Sequence, residues 1–166
     1  MAQPLRSTHL RPRAVHTQRT DLEETWHRHG AALFALSLVL FEDVDAAESV
    51  VTQAFLDACT PADIALAPVS RRELARYVYV LWVRRTTAPG SARQLAFSAH
   101  PGWRPSGVAA MAKLSRLQRT AIALALFGEH TYTEIATLMD LPAVDIASLM
   151  RSGLLAAAPS PARGCA

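Results

Sequence analysis

The chain has 166 residues, of which 51% are hydrophobic and 19% charged, enough apolar content to bury one or two small cores and too much for a disordered chain. Its longest nearly uncharged apolar run, residues 30–41, falls well short of the roughly 20 residues of a membrane-crossing helix, and the N-terminus lacks the apolar centre of a secretory signal. With a formal charge of +3, a mild preference for an anionic partner is expected; two distant cysteines, Cys59 and Cys165, argue neither a disulfide framework nor a metal site. No membrane insertion and no cofactor are expected, and a cytoplasmic location is the simplest home.

The charge is patterned in blocks. Residues 1–20 carry four arginines and no acid, residues 42–63 carry six acids and no Lys or Arg, and residues 70–94 carry six arginines against Glu73. Alternating blocks of this kind suggest two partners, one basic and one anionic.

In chain order, residues 1–19, with Pro4, Pro12 and no apolar period, read as a flexible basic arm. From Thr20, the acids Asp21, Glu23 and Glu24 suit a helix start, and Leu22, Trp26, Leu33, Leu36 and Leu40 recur at helical spacing. An acidic turn, residues 42–45, leads to a second helix with an apolar stripe of Ala47, Val50, Val51, Ala54, Phe55 and Ala58, which Pro61 ends. Ser70 is an N-cap candidate for a third helix, Arg71 to about Thr86, that turns Leu74, Tyr77, Val78, Leu81 and Trp82 inward. Three prolines and three glycines in residues 89–107 mark a linker. Beyond it, a helix over residues 108–127 faces Leu114, Leu117, Ala121, Leu124 and Ala125 inward, and Gly128-Glu129-His130 breaks it.

Thr131-Tyr132-Thr133-Glu134 then fits a capping box, Asp140 stands where a turn needs a left-handed residue, and Pro142 opens the next helix. This is the spacing of a helix-turn-helix. The tail from residue 158, with Pro159 and Pro161, is expected to be unstructured. No strand alternation appears. The expected fold class is all-α: two small helical domains, residues 20–88 and 108–157, joined by a Pro/Gly-rich linker, the second ending in the helix-turn-helix.

Two stretches carry a resemblance. "EDVDAAESVVTQAFLDA", residues 42–58, is similar to the core-polymerase-binding segment of bacterial extracytoplasmic-function (ECF) sigma factors, an acidic helix that docks on a basic coiled coil; Ala47, Glu48 and Phe55 match, while Ser49 and Thr52 replace an acid and a glutamine. "LSRLQRTAIALALFGEHTYTEIATLMDLPAVDIASLMRSGLL", residues 114–155, resembles the promoter −35 domain of the same family, with Glu134-Ile135-Ala136 and Ser148 matching and Arg119 near the family's arginine. Between them, "RRELARYVYVLWVRRTT", residues 71–87, occupies the place of the −10 element helix, where arginines take phosphates and aromatics stack on unpaired bases.

The resemblance implies core RNA polymerase and promoter DNA as partners, and leaves room for an anti-sigma factor. It implies polymerase contacts from Asp45, Glu48, Gln53 and Asp57, and DNA contacts from Arg71, Arg72, Arg76, Tyr79, Arg84, Arg85, Arg119, Ser148 and Arg151. The basic positions of the family's reading helix are held here by Ala147, Leu149 and Ser152, and residues 113–157 balance four cations against four acids. A second function therefore stays open: a sigma-like interaction protein that modulates transcription without reading promoters itself, with Leu149, Met150 and Leu154 as an apolar docking face. An enzyme is not expected, because no nucleophile, base or phosphate loop converges; His27 and His29, two apart, leave a helix on different sides.

Overall fold

The computed structural model describes residues 13–59, 69–87 and 111–158, and among these the protein is all-α. Six helices follow one another: α1 Arg13–Phe41, α2 Val44–Cys59, α3 Arg71–Thr87, α4 Arg116–Gly128, α5 Tyr132–Met139 and α6 Ala143–Ala157. Residues 1–12 of the expected basic arm, the expected linker over 89–107 and the expected tail beyond residue 158 lie outside the described residues. None of these helices is long and apolar enough to cross a membrane.

The first helix starts earlier than its apolar period suggests, at Arg13 rather than Thr20. Pro12 is the last residue that would interrupt it; proline has no amide hydrogen to donate and is tolerated where a helix begins. At its other end Glu42 adopts a left-handed conformation with φ 58°, and the Asp43 carboxylate accepts from the amide of Ala46 at 2.7 Å, so one residue stops α1 and the next caps α2. The stripe of Ala47, Val50, Val51, Ala54 and Phe55 is buried against α1, where the Trp26 ring meets Phe55 with centroids 4.9 Å apart.

The third helix is rotated from the expected setting. Leu74, Ala75, Val78, Tyr79 and Trp82 are buried, Leu81 is partly buried, and Tyr77 is 42% exposed. Leu74, Ala75, Val78, Tyr79 and Trp82 form one continuous stripe at spacings of three and four, and Tyr77, though three residues from Leu74, falls beyond the edge of that stripe. Trp82 is the hydrogen-bonding anchor of this face. Its indole N–H donates to the Leu40 carbonyl at 2.8 Å, satisfying one of the last carbonyls of α1, which have no partner within their own helix.

The expected helix over residues 108–127 is interrupted by a turn at residues 112–114, after which α4 starts at Arg116; residues 108–110 lie outside the described residues. Ser115 accepts from the Gln118 amide and the Gln118 side chain accepts from the Ser115 amide, a reciprocal cap that fixes the start. Leu117, in the first turn, is 50% exposed instead of inward; burial begins one turn later, where residues 120–124 are all buried. Five consecutive buried positions exceed a single stripe, and they follow from α4 having neighbours on several sides: α1, α3 and α6 all pack on it.

The remaining two helices follow the sequence signals closely. Thr131 and Glu134 form the reciprocal cap of α5, Asp140 ends it with φ 53°, and the amide of Leu141 donates to the Ala136 carbonyl at 3.0 Å. Pro142 precedes the first residue of α6. Ile135, Ala136 and Ile146 are buried where the pair meets α4, and Gly153 lets α6 approach so closely that a Cβ there would stand 2.7 Å from Ile122 Cδ1. The core is thus shared by both halves of the chain: Leu33, Leu36, Leu74, Leu124, Ile135 and Ile146 are all essentially inaccessible.

Trp82→Phe is expected to cost about 1–3 kcal/mol, the penalty for leaving a buried acceptor without its donor. A lower urea midpoint at unchanged m checks it, and wild-type stability would show that the Leu40 carbonyl finds another partner.

Candidate functional site

Asp45, Glu48, Gln53 and Asp57 all stand exposed on the outward side of α2, opposite the stripe that packs on α1. Gln53 Nε2 donates to Asp57 Oδ1 at 2.6 Å, one turn apart, and Leu56 adds a 53% exposed apolar side chain between the acids. With no Lys or Arg anywhere in α2, the face is uniformly acidic. Such a surface attracts a basic partner and repels nucleic acid.

The arginines of α3 fall into two groups. Arg76, Arg84 and Arg85 are exposed along the helix, with Arg85 also lying 5.6 Å over the Phe41 ring. Arg76 and Arg84 take part in none of the ion pairs among the described residues. Arg71 and Arg72, one turn below, are instead turned to the C-terminal half of the chain. Arg71 pairs with Glu129 at 2.9 Å, and its Nε donates to His29 Nδ1 at 3.4 Å. Arg72 pairs with Glu134 at 2.8 Å and donates from Nε to the Glu129 carbonyl at 3.2 Å.

Tyr79 does not stand where a base-stacking side chain is needed in this conformation. It is buried, its ring centroid lies 5.7 Å from that of Trp82, and burial pushes its hydroxyl above the ordinary tyrosine range, with Arg116 opposing. The tyrosine that α3 presents to solvent is Tyr77. The swap is a matter of helical phase: two residues shift a side chain by more than half a turn.

In the C-terminal half, Ser148 and Arg151 are exposed on α6, though the Ser148 hydroxyl donates to the Val144 carbonyl one turn back. Arg119 is elsewhere. It is paired with Glu42 at the corner between α1 and α2, both side chains largely covered. Ser152 holds Gln118 Nε2 at 2.9 Å, so the family's basic positions on α6 are spent on helix packing or left small. Leu149 and Met150 are partly buried against the core, and the exposed apolar residues of α6 are Val144, Leu154 and Leu155.

What the sequence does not announce is the cluster around the turn between α4 and α5. Glu129, left-handed at φ 59°, ends α4 and faces Arg71; Glu134 caps α5 and faces Arg72. Between them His130 is buried beside Gly128, its Nδ1 without a hydrogen-bond partner. A Cβ on Gly128 would stand 2.8 Å from His130 Nδ1 and 3.0 Å from the Ala75 Cβ, so a side chain here would push His130 aside or part α4 from α3. The Gly-Glu-His triplet reads as a helix break; that it also meets a helix some sixty residues earlier has no local signature, as the separation of 62 between Arg72 and Glu134 illustrates.

These surroundings bias protonation. Burial lowers the pKa of His130, with Glu134 opposing and Arg72 reinforcing the shift. For His29 burial comes first, then the Arg71 and Arg28 charges, all lowering it, against a smaller pull from Glu129. The Glu134 carboxyl is lowered by its bonds from the Thr131 amide and hydroxyl, and by Arg72. Among the described residues, no group of three or more His, Cys, Asp or Glu is arranged to hold a metal ion. Compared with known proteins, the chain matches no family and no curated sequence.

The histidine shifts carry a definite sign. A base whose folded pKa lies below its ordinary 6.5 takes up more protons when unfolded, so stability is full above pH 6.5 and declines as pH falls from there through the folded value. Glu134, depressed from 4.5, removes further stability at still lower pH. Urea midpoints measured against pH are expected to fall below pH 6.5, and His29→Gln with His130→Gln to flatten that first decline. An unchanged profile in the double variant would assign the decline to other groups.

Proposed function

We propose that the protein is a sigma-like transcription-initiation factor that binds core RNA polymerase through the outward face of α2 and promoter DNA through the arginine face of α3. The observation that carries this reading is the pairing of two adjacent surfaces of opposite charge on neighbouring helices: exposed Asp45, Glu48 and Asp57 on α2, exposed Arg76, Arg84 and Arg85 on α3. A basic protein surface is the natural partner of the first. The second suits phosphates, whose neutralisation releases counterions and supplies most of the affinity of a DNA-binding protein. The resemblance of residues 42–58 and 114–155 to the ECF group supports the same assignment.

A second reading keeps the polymerase contact and drops promoter reading by the C-terminal helices. It is favoured by α6, whose exposed cation is Arg151 while Val144, Leu154 and Leu155 are exposed apolar residues. A reading helix normally offers several bases' worth of polar and basic contacts, and this one offers a protein-docking character instead.

Pull-down with core RNA polymerase followed by run-off transcription tests both. Retention on the polymerase with promoter-dependent product is expected of the first reading, and retention without product of the second; no retention, with no retardation of promoter DNA at low salt, would exclude both. Reversing Glu48 and Asp57 to Lys should weaken retention about tenfold or more with helicity intact, the scale on which like charges are rejected at an interface. Arg76→Ala, Arg84→Ala and Arg85→Ala together should flatten the dependence of log K on log salt by as much as about 2.7, at roughly 0.9 per phosphate contact. An unchanged slope would remove this helix from the interface.

A further inference from the structure

Three of the side chains with which the resemblance would have the protein grip DNA are, in this conformation, held by acids from another part of the chain. Arg71 is held by Glu129, Arg72 by Glu134 and the Glu129 carbonyl, and Arg119 by Glu42. All three pairs join the N-terminal helices to the segment starting at α4. Two further contacts join the same halves: the close approach of Gly128 to Ala75, and the Arg116 guanidinium 4.5 Å over the Trp82 ring. Arg76 and Arg84, outside the seam, are in none of the ion pairs among the described residues.

We propose that the Arg71–Glu129, Arg72–Glu134 and Arg119–Glu42 pairs form an autoinhibitory latch, in which glutamates stand in for phosphates and occupy the three arginines until a competing polyanion displaces them. The chemistry favours such a device. Carboxylate and phosphate offer guanidinium the same paired oxygens, so each glutamate is a direct competitor for the ligand the arginine would take. The pairs on Arg71 and Arg72 are partly open to solvent, hence weak one by one and sensitive to salt, and a ligand bringing several phosphates can displace them together. The pairs are distinct from the apolar contact beneath them, where α4 packs on α1 and α3 through Leu33, Leu36, Leu74 and Leu124, so an ion pair can exchange its anion without that core opening. Part of this proposal, the gating of DNA binding, rests on the DNA reading above; the latch itself does not.

The test separates the two. Glu42→Gln, Glu129→Gln and Glu134→Gln together remove the acids and leave every arginine in place; glutamine at position 134 still serves the cap of α5. Phenylglyoxal labelling read by mass spectrometry reports guanidinium accessibility without any DNA, with Arg76 and Arg84 as internal references. Labelling of Arg71, Arg72 and Arg119 is expected to be suppressed in the wild type and to rise at least about threefold in the variant, and at Arg71 and Arg72 also in the wild type at about 0.5 M salt, where screening reaches a few ångströms. Binding of a promoter duplex at low salt should tighten in the variant, with a salt slope steeper by up to about 2.7 for three added phosphate contacts.

Equal labelling in wild type and variant would overturn the latch, whatever the DNA result. Increased labelling with unchanged DNA affinity and slope would overturn the gating. If neither protein binds DNA, the DNA reading and the gating fall together, and the labelling still decides the latch. Should the triple variant lose helicity, charge exchange decides: Arg71→Glu is expected to raise labelling at Arg72, and Arg71→Glu with Glu129→Arg to restore suppression. No restoration would overturn the pairing.

Discussion

The carbonyl end of α1 is the point on which the rest of the structure is hung. Within three residues, Leu40 accepts the Trp82 indole, Phe41 lies beneath Arg85, and Glu42 turns left-handed and takes Arg119. A helix terminus leaves its last carbonyls without intrahelical partners, and here α3 supplies a donor for one of them while α4 supplies a cation next to the negative end of the dipole. One corner thereby sets the spacing of α1, α2, α3 and α4. Trp82 extends the same node, because its ring also receives Tyr79 on one side and Arg116 on another.

From that node the charges are partitioned by geometry and not by sequence block. The arginines of residues 71–87 form one run in the chain, yet the first two belong to the seam with the C-terminal helices and the later ones to the outer surface. The acids of α2 stay outside throughout, since the apolar stripe on the opposite side of the same helix is fully committed to α1 and α3. A surface that is acidic on one helix and basic on the next is what a protein joining a basic protein to an anionic polymer requires. That is the physical content of the proposed assignment, and it does not depend on how the C-terminal helices are used.

Much of the local structure was legible because it rests on residues a few positions apart. The cap of α5 by Thr131 and Glu134, the left-handed Asp140, the proline before α6 and the buried stripe of α2 each follow from short-range chemistry, and each stands in the structure as expected. The misreadings are those where a face had to be chosen among several plausible ones. Tyr77 and Tyr79 exchange roles because α3 carries bulky residues on more than one side, so periodicity gave two candidate stripes and the packing against α1 and α4 selected one. Leu117 was expected inward by the same reasoning and is exposed because the capped first turn of α4 extends beyond the core.

By itself, then, the sequence determined the helices, their caps and the sign of each charged surface, all properties of residues close in the chain whose energetics do not need a partner. The tertiary structure alone decided which arginines are free and which are held, because Arg71, Arg72 and Arg119 meet acids between about 57 and 77 residues away, and such pairings have no spacing rule to reveal them. It also decided that His130 is buried and that a side chain at position 128 would displace it. Both follow from how closely α4 approaches α3, a distance fixed only when the whole core closes.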